Sequence, residues 1–194
     1  MYEDYGAMCE SLKKIAKNIS TGGLPKALTP FVIGVTGTGR CAQGSLEVLE
    51  QLPHDKVPAS ELRAYMADTS KHSNKKIVIV QFTSLDVAKK PDGSPFEKKE
   101  YYTSPEKFVG RFEEYLDLVH FLVNDIYWEA KYPRLITNEG LKAAVESGKN
   151  KLMGVTDISA DEAGSIEFTT RFTSIEEPYL LYDPISMKFK EKIS

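Results

Sequence analysis

The sequence predicts an α/β domain of the Rossmann type, a parallel sheet with helices on both faces, preceded by a connector helix. Three observations predict it. From Phe31 onward, apolar runs of strand length alternate with amphipathic stretches, the pattern of a helix-covered parallel sheet. A glycine-rich turn, Thr36-Gly37-Thr38-Gly39, joins the first apolar run directly to the first helical stretch after it. The 194 residues, 41% of them hydrophobic and 27% charged, suffice for one domain with a buried core.

Taken in order, Tyr5, Met8, Leu12, Ile15 and Ile19 recur three or four residues apart with Lys13, Lys14 and Lys17 between them. That spacing gives an amphipathic helix ending at Gly22-Gly23. Pro25 and Pro30 punctuate the next few residues, so 1–30 reads as connector helix and linker, and 31–194 as the dinucleotide-binding domain. Phe31 to Val35 is an unalternating apolar run, as expected of a central strand buried on both faces. A helix with Leu46, Val48, Leu49 and Leu52 runs to Pro53, and a second strand is expected from Lys56 to Ala59. Ser60-Glu61 then opens a short helix carrying Leu62, Tyr65 and Met66.

Lys76 to Phe82 is the strongest strand signal, a β-branched run. Lys90-Pro91-Asp92-Gly93 is a turn, and the polar stretch up to Thr103 reads as a surface loop or a hairpin. Ser104-Pro105-Glu106 has the cap, proline and acid of a helix start, and Phe108, Phe112, Tyr115, Leu116 and Val119 continue that helix on one face. His120 to Ile126 is a strand, Thr137 to Val145 a capped helix closed by Gly148, and Leu152 to Ile158 a last strand of the alternating set. Ser165 to Ser174 and Pro178 to Asp183 read as extended chain, and Ser194 has no evident packing role. The opening helix and the end soon after a last strand give the look of an excerpt from a larger protein.

A net charge of -3 with scattered lysines gives no general attraction to nucleic acid or to an acidic membrane, and no apolar stretch approaches the ~20 residues of a membrane span. Cys9 and Cys41 form neither a disulfide framework nor a metal-ligand spacing, in keeping with a reducing compartment. The acidic start at Glu3 and Asp4 is unlike a basic leader, and a leader upstream would be invisible, so mitochondrion and cytoplasm stay open.

The chemistry concentrates in the turn after the first strand. Gly37-Thr38-Gly39-Arg40-Cys41-Ala42 is a GxGxxA form of the dinucleotide fingerprint. Gly37 permits the tight turn, Gly39 lets the backbone approach a pyrophosphate, and a small Ala42 lets helix and strand pack closely. The first amides of the helix then face the anion. The acid expected about 20 residues on, to hold the ribose hydroxyls, is matched by Glu61, which could equally decorate a first helical turn. Arg40 and Arg63 are alternatives that would take a 2′-phosphate, tilting the cofactor from NAD toward NADP. Asp157 to Gly164 lies at the carboxyl end of the last alternating strand, where acids either face a nicotinamide or are solvated. His54, His72 and His120 share no ligand or triad spacing, His120 reads as structural, and Tyr127 and Trp128 either flank a cofactor or pack.

Three blocks, FVIGVTGTGRCAQG from Phe31, DIYWEAKYPRL from Asp125 and DISADEAGSIEFTTRFTSIEEPYLLYDP from Asp157, together resemble the lysine-ketoglutarate reductase region of bifunctional α-aminoadipic semialdehyde synthases. That resemblance implies a fold similar to alanine dehydrogenase, with a Rossmann domain inserted in a substrate domain. It implies condensation of lysine with 2-oxoglutarate and reduction of the imine by NADPH to saccharopine. Matched by position, Gly37, Gly39 and the amides around Arg40 and Cys41 would hold the pyrophosphate. Ile126 and Tyr127 would flank the nicotinamide ribose, and Ile158 and the catalytic candidate Asp161 would lie beside the nicotinamide. Gly39-Arg40-Cys41 departs from the reductase's Gly-Asn-Val and is closer to monofunctional saccharopine dehydrogenases, leaving open NAD or NADP and the direction of reaction. The proton-transfer lysine and histidine of the family belong to the substrate domain, so this chain alone is expected to be inactive. A dinucleotide-binding regulatory or scaffolding domain is the alternative.

Overall fold

The computed structural model describes residues 2–190; Met1 and the terminus at Ser194 lie outside them. Helix α1 (Tyr5–Gly22) starts at Asp4, whose carboxylate accepts the Ala7 amide at 2.7 Å, and stops where Gly23 turns to φ +78°. Beyond it lies a five-stranded sheet of β1 (Phe31–Thr36), β2 (His54–Lys56), β3 (Ile77–Phe82), β6 (Phe121–Asn124) and β7 (Gly154–Asp157). All its neighbours pair in parallel, in the order β2-β3-β1-β6-β7. The architecture is the predicted Rossmann-like α/β sheet, flanked by α2 (Arg40–Leu49), α3 (Ala59–Ala67) and α6 (Asn138–Glu146).

Why the strands are apolar without alternation is visible in the core. Ile33, Val35, Ile77, Ile79 and Val123 form one layer with Ala42, Leu46 and Leu49 of α2. Val32, Val78, Val80, Phe82 and Leu122 form the other with Leu62 of α3, Leu141 of α6 and the Phe112–Val119 region. Successive residues of one strand thus enter opposite cores, and neither face is left to water.

The sheet order departs from a simple Rossmann half. The chain leaves β1, makes the edge strand β2, and returns to place β3 between them. A right-handed crossover that moves two places one way and one place back requires helices on opposite faces. That is where α2 and α3 lie.

Several element boundaries differ from those the sequence predicts. Helix α2 ends at Leu49, and Leu52 belongs to the turn after it, where its amide donates to the Leu49 carbonyl at 3.0 Å. The second strand is His54–Lys56 rather than Lys56 to Ala59, because Pro58 interrupts pairing after the Val57 amide has bonded to the Ile79 carbonyl at 3.0 Å. The polar stretch before Thr103 contains a short helix, α5 (Lys98–Thr103), anchored by Tyr101 alone among its buried residues. Between β3 and it lie α4 (Ser84–Val87) and β4 (Ala88–Lys89).

The helix expected from Ser104 to Val119 does not form. Pro105–Lys107 is one 3-10 turn, β5 (Val109–Gly110) pairs antiparallel with β4, and Phe112–Tyr115 is a second 3-10 turn. Phe108, Phe112, Tyr115, Leu116 and Val119 are all buried, so their spacing recorded burial without helical backbone. Gly110 lets the chain pass beside Arg134, where a Cβ would come 2.5 Å from the Arg134 carbonyl oxygen. Of the expected extended stretch Ser165 to Ser174, only Ile166 pairs, as an isolated bridge to Ile136, while β8 (Leu181–Asp183) forms a hairpin with β9 (Lys188–Lys190).

The start of α6 is closed by Thr137, whose hydroxyl accepts the Gly140 amide at 3.0 Å, and by two carboxylates: Glu113 accepts the Thr137 amide at 2.8 Å and Glu167 the Asn138 amide at 2.7 Å. At the opposite end of the sheet, His120 is buried, and its Nδ1 accepts the Val32 amide at 3.2 Å. Burial, helped by the Lys151 charge, pushes its pKa down to about 4.

Charging His120 would place a proton on the nitrogen that accepts from Val32. The folded protein therefore holds it neutral while the unfolded chain takes up a proton near pH 6.5. Between those values the unfolded state binds more protons, so stability is expected to fall as pH drops from 7 toward 4, by up to ~3 kcal/mol from this group. Urea unfolding at pH 7 and pH 4.5 checks it: His120→Gln, which keeps an acceptor without titrating, should flatten that part of the slope.

Candidate functional site

The site is a cleft of about 940 Å³ at the carboxyl ends of β1, β3, β6 and β7. Ligands of open α/β sheets bind at this end, where the strand order reverses direction around β1. Residues Gly37 to Cys41 form its floor. Gly37 has φ +96°, donates its amide to the Phe82 carbonyl at 2.9 Å, and accepts from Gln81 Nε2 at 2.9 Å. A Cβ there would meet the Asp125 carbonyl oxygen at 3.1 Å in a backbone conformation that L-residues avoid. Gly39 caps α2 with no side-chain hydrogen bond, and a Cβ on it would meet nothing within 4 Å. Its missing side chain therefore relieves no clash inside the protein and leaves room in the cleft. The first turn of α2 has neither acid nor capping side chain, so its amides remain available to an anion.

One wall is aromatic. The segment between β3 and β6 folds over the cleft and brings Phe96, Lys98, Tyr101 and Tyr102 to it, meeting Tyr132 from the other side. Tyr101 sits 5.4 Å from Phe96, 5.2 Å from Phe108 and 5.3 Å from Tyr132, ring centre to ring centre, and burial pushes its hydroxyl up to about 12. Lys90 on this segment is paired with Glu100 at 2.6 Å. Among the described residues no ion pair includes Lys98 or Arg40, so the cleft is bordered by two uncommitted cations.

The opposite wall is held by a buried polar network across three strand ends. Thr36 Oγ1 donates to Asn124 Oδ1 at 2.8 Å; Asn124 Nδ2 donates to Asp157 Oδ1 and to Ser165 Oγ, both at 2.8 Å. Asp157 also accepts from Ser159 and Thr169 hydroxyls at 2.8 Å, which fixes the loop after β7. Asp125 comes after Asn124 into the cleft. One of its oxygens accepts from Ser45 of α2 at 3.1 Å, the other is buried with no partner, and burial raises its pKa.

Gly37, Thr38, Gly39, Arg40, Cys41, Ile126, Tyr127 and Ile158, far apart in sequence, thus share one cleft. Ala42 lies beneath it, fully buried between α2 and the sheet, as close helix packing requires. Glu61 and Asp161 do not reach it. Glu61 borders a separate hollow of about 310 Å³ beyond the edge strand β2, because β3 and not β2 neighbours β1. Asp161 lies in a turn outside the cleft, its carbonyl accepting the Gly164 amide at 3.0 Å, and Ser159 lines the wall instead. Arg63 is committed elsewhere, to Asp117 at 2.9 Å and the Glu114 carbonyl at 2.8 Å. Sequence reasoning missed Thr83, Ser84, Asp125 and the aromatic wall. Thr83 and Ser84 come directly after the strongest strand signal, which could have marked them.

No family model matches the chain. It is similar to mitochondrial alpha-aminoadipic semialdehyde synthase of Bos taurus, 31% identical over 198 residues that take in 94% of this chain and 21% of the relative. The alpha-aminoadipic semialdehyde synthase of Arabidopsis thaliana is 32% identical over 194 residues, 95% of this chain and 18% of the relative. The mitochondrial synthase of Rattus norvegicus is 31% identical over 200 residues, again 94% and 21%. The chain spans about a fifth of the length of these relatives.

Asp157 is the hub through which the loop after β7 is tied to the sheet. Asp157→Ala removes the acceptor of three side chains and is expected to cost about 1–3 kcal/mol. Hydrogen exchange read by mass spectrometry should show faster exchange at residues 158–165 while the amides of β1 and β3 keep their protection.

Proposed function

Taking as premise that this chain corresponds to a partial region of the bifunctional alpha-aminoadipic semialdehyde synthases, we propose that it is the dinucleotide-binding part of an oxidoreductase of lysine degradation. The observation that carries the reading is the convergence of the glycine turn, the Ile126–Tyr127 segment and Ile158 on one cleft at the carboxyl ends of the strands. The uncapped start of α2, the room left by Gly39 and the uncommitted Arg40 fit a pyrophosphate. Ile126, Ile158 and Ser159 give one end of the cleft an apolar wall with a single hydroxyl, suited to a nicotinamide.

For the other end, the strand next to β1 decides. A carboxylate just after it would bind ribose hydroxyls; there the cleft is lined by Thr83 and Ser84, the residues that follow β3, and Glu97 and Lys98 line it as well. The Thr83 hydroxyl is committed to Asp86 at 2.8 Å, and it is the Ser84 hydroxyl with the Lys98 ammonium that suits a 2′-phosphate, which favours NADPH over NADH. The reduced nicotinamide supplies a hydride when bound. The residues of this chain orient it and exclude water from one side. Asp161 lies outside the cleft, and the role assigned to this chain is to bind the dinucleotide and leave proton transfer to parts of the enzyme outside it. Condensation of lysine with 2-oxoglutarate to saccharopine, in either direction, belongs to that larger assembly, and a mitochondrial setting is the one the mammalian relatives suggest.

Titration of the 194-residue chain with NADPH and NADH, read by Trp128 fluorescence, tests the proposal. Saturable binding with NADPH tighter is expected, and no binding of either at millimolar concentration by a folded sample would overturn it. Lys98→Ala should weaken NADPH about tenfold, the scale of one charge-assisted hydrogen bond, and leave NADH unchanged. The chain alone should show no lysine-dependent NADPH oxidation.

A further inference from the structure

The loop after β7 carries Ile158 and Ser159 to the cleft, and it is irregular: Ala160 and Ala163 both have positive φ, 51° and 46°, where L-residues are strained. Something outside the loop must hold that shape. From the strand-end side, Asp157 ties down Ser159 and Thr169. From behind, the guanidinium of Arg134 donates Nη1 to the carbonyl oxygens of Ala163 and of Gly164, the latter at 2.7 Å. Carbonyls in such a turn have no regular partners, and one cation bridging two of them sets the turn's curvature.

Arg134 is itself held. Its Nε lies 3.8 Å from Glu167, and its guanidinium sits 5.4 Å from the centre of the Trp128 ring. Trp128 donates Nε1 to the Pro133 carbonyl at 3.1 Å, fixing the ring. The backbones also join, because Leu135 donates its amide to the Ser165 carbonyl at 2.8 Å and Ile136 bridges Ile166. Arg134 does not line the cleft.

We propose that Arg134 is a positioning residue for the nicotinamide end of the cleft, acting through the Ala163–Gly164 turn on Ile158 and Ser159, with Trp128 as its backing. The inference rests on the dinucleotide reading of the cleft. It separates the two ends of the ligand: the adenosine end meets Thr83, Ser84 and Lys98, which Arg134 does not touch, and only the nicotinamide end depends on the loop. A residue that merely stabilised the fold would affect both ends alike.

The test compares NADPH with adenosine 2′,5′-bisphosphate, which lacks the nicotinamide half, on the wild-type chain, Arg134→Ala and Arg134→Lys. NADPH affinity should fall about tenfold in Arg134→Ala, with partial rescue in Arg134→Lys, while the bisphosphate binds all three equally. Trp128 emission should shift in Arg134→Ala before any ligand is added. Equal affinities for NADPH across the three, or parallel losses for both ligands, would overturn the inference. If Arg134→Ala does not fold, Arg134→Lys carries the same comparison. Failure of the wild-type chain to bind either ligand would instead overturn the dinucleotide reading, which keeps the two outcomes distinct.

Discussion

The site depends on one buried interaction, the Asn124 amide held between Thr36, Asp157 and Ser165. Its oxygen accepts from β1 and its two amide hydrogens go to β7 and to the segment beyond it, so a single side chain registers three strand ends against one another. Such a group is costly to bury unless satisfied and rigid when it is. The strand ends from which Ile126, Tyr127, Ile158 and Ser159 enter the cleft are set against one another by this registration. The glycine turn shares it through Thr36, the residue before Gly37, whose hydroxyl also accepts the Asp125 amide at 3.2 Å.

The parts of the fold legible in the sequence were those where one local signal had one structural solution. The runs Phe31 to Val35 and Ile77 to Phe82 are apolar at every position but one or two because both faces are covered, and a strand is the short element with that need. The turn Gly37 to Gly39 was legible because a positive φ and a strand-to-helix corner coincide there. The stretch Ser104 to Val119 misled for a physical reason. A helix and a pair of 3-10 turns can bury the same residues, and here contacts distant in sequence accompany the turns: the pairing of β5 with β4 and the close approach of Gly110 to Arg134. Propensity has no access to such contacts.

The location of Glu61 shows the same limit at the level of topology. Distance along the chain from the glycine turn points to Glu61 only when the second strand neighbours the first. Here the chain reaches the edge first and fills the inner place with β3, so Glu61 comes to lie beyond the edge strand and away from the cleft. Thr83 and Ser84 after β3, and the aromatic segment beyond them, line the cleft beside β1 instead. Asp161 lies outside the cleft for a more local reason, in the turn that follows Ser159 of the wall.

The caps of α6 bear on how the molecule sorts charge. Glu113, Glu167 and Thr137 occupy the amides at that helix start, whereas the start of α2 has no acid and no capping hydroxyl. Helix starts are interchangeable attractors for a diffusing phosphate, and a protein with several would be a poor address for any one. By filling the start of α6 with its own carboxylates and leaving that of α2 bare, this chain makes these two helix starts electrostatic opposites, one closed in advance to anions and one left open.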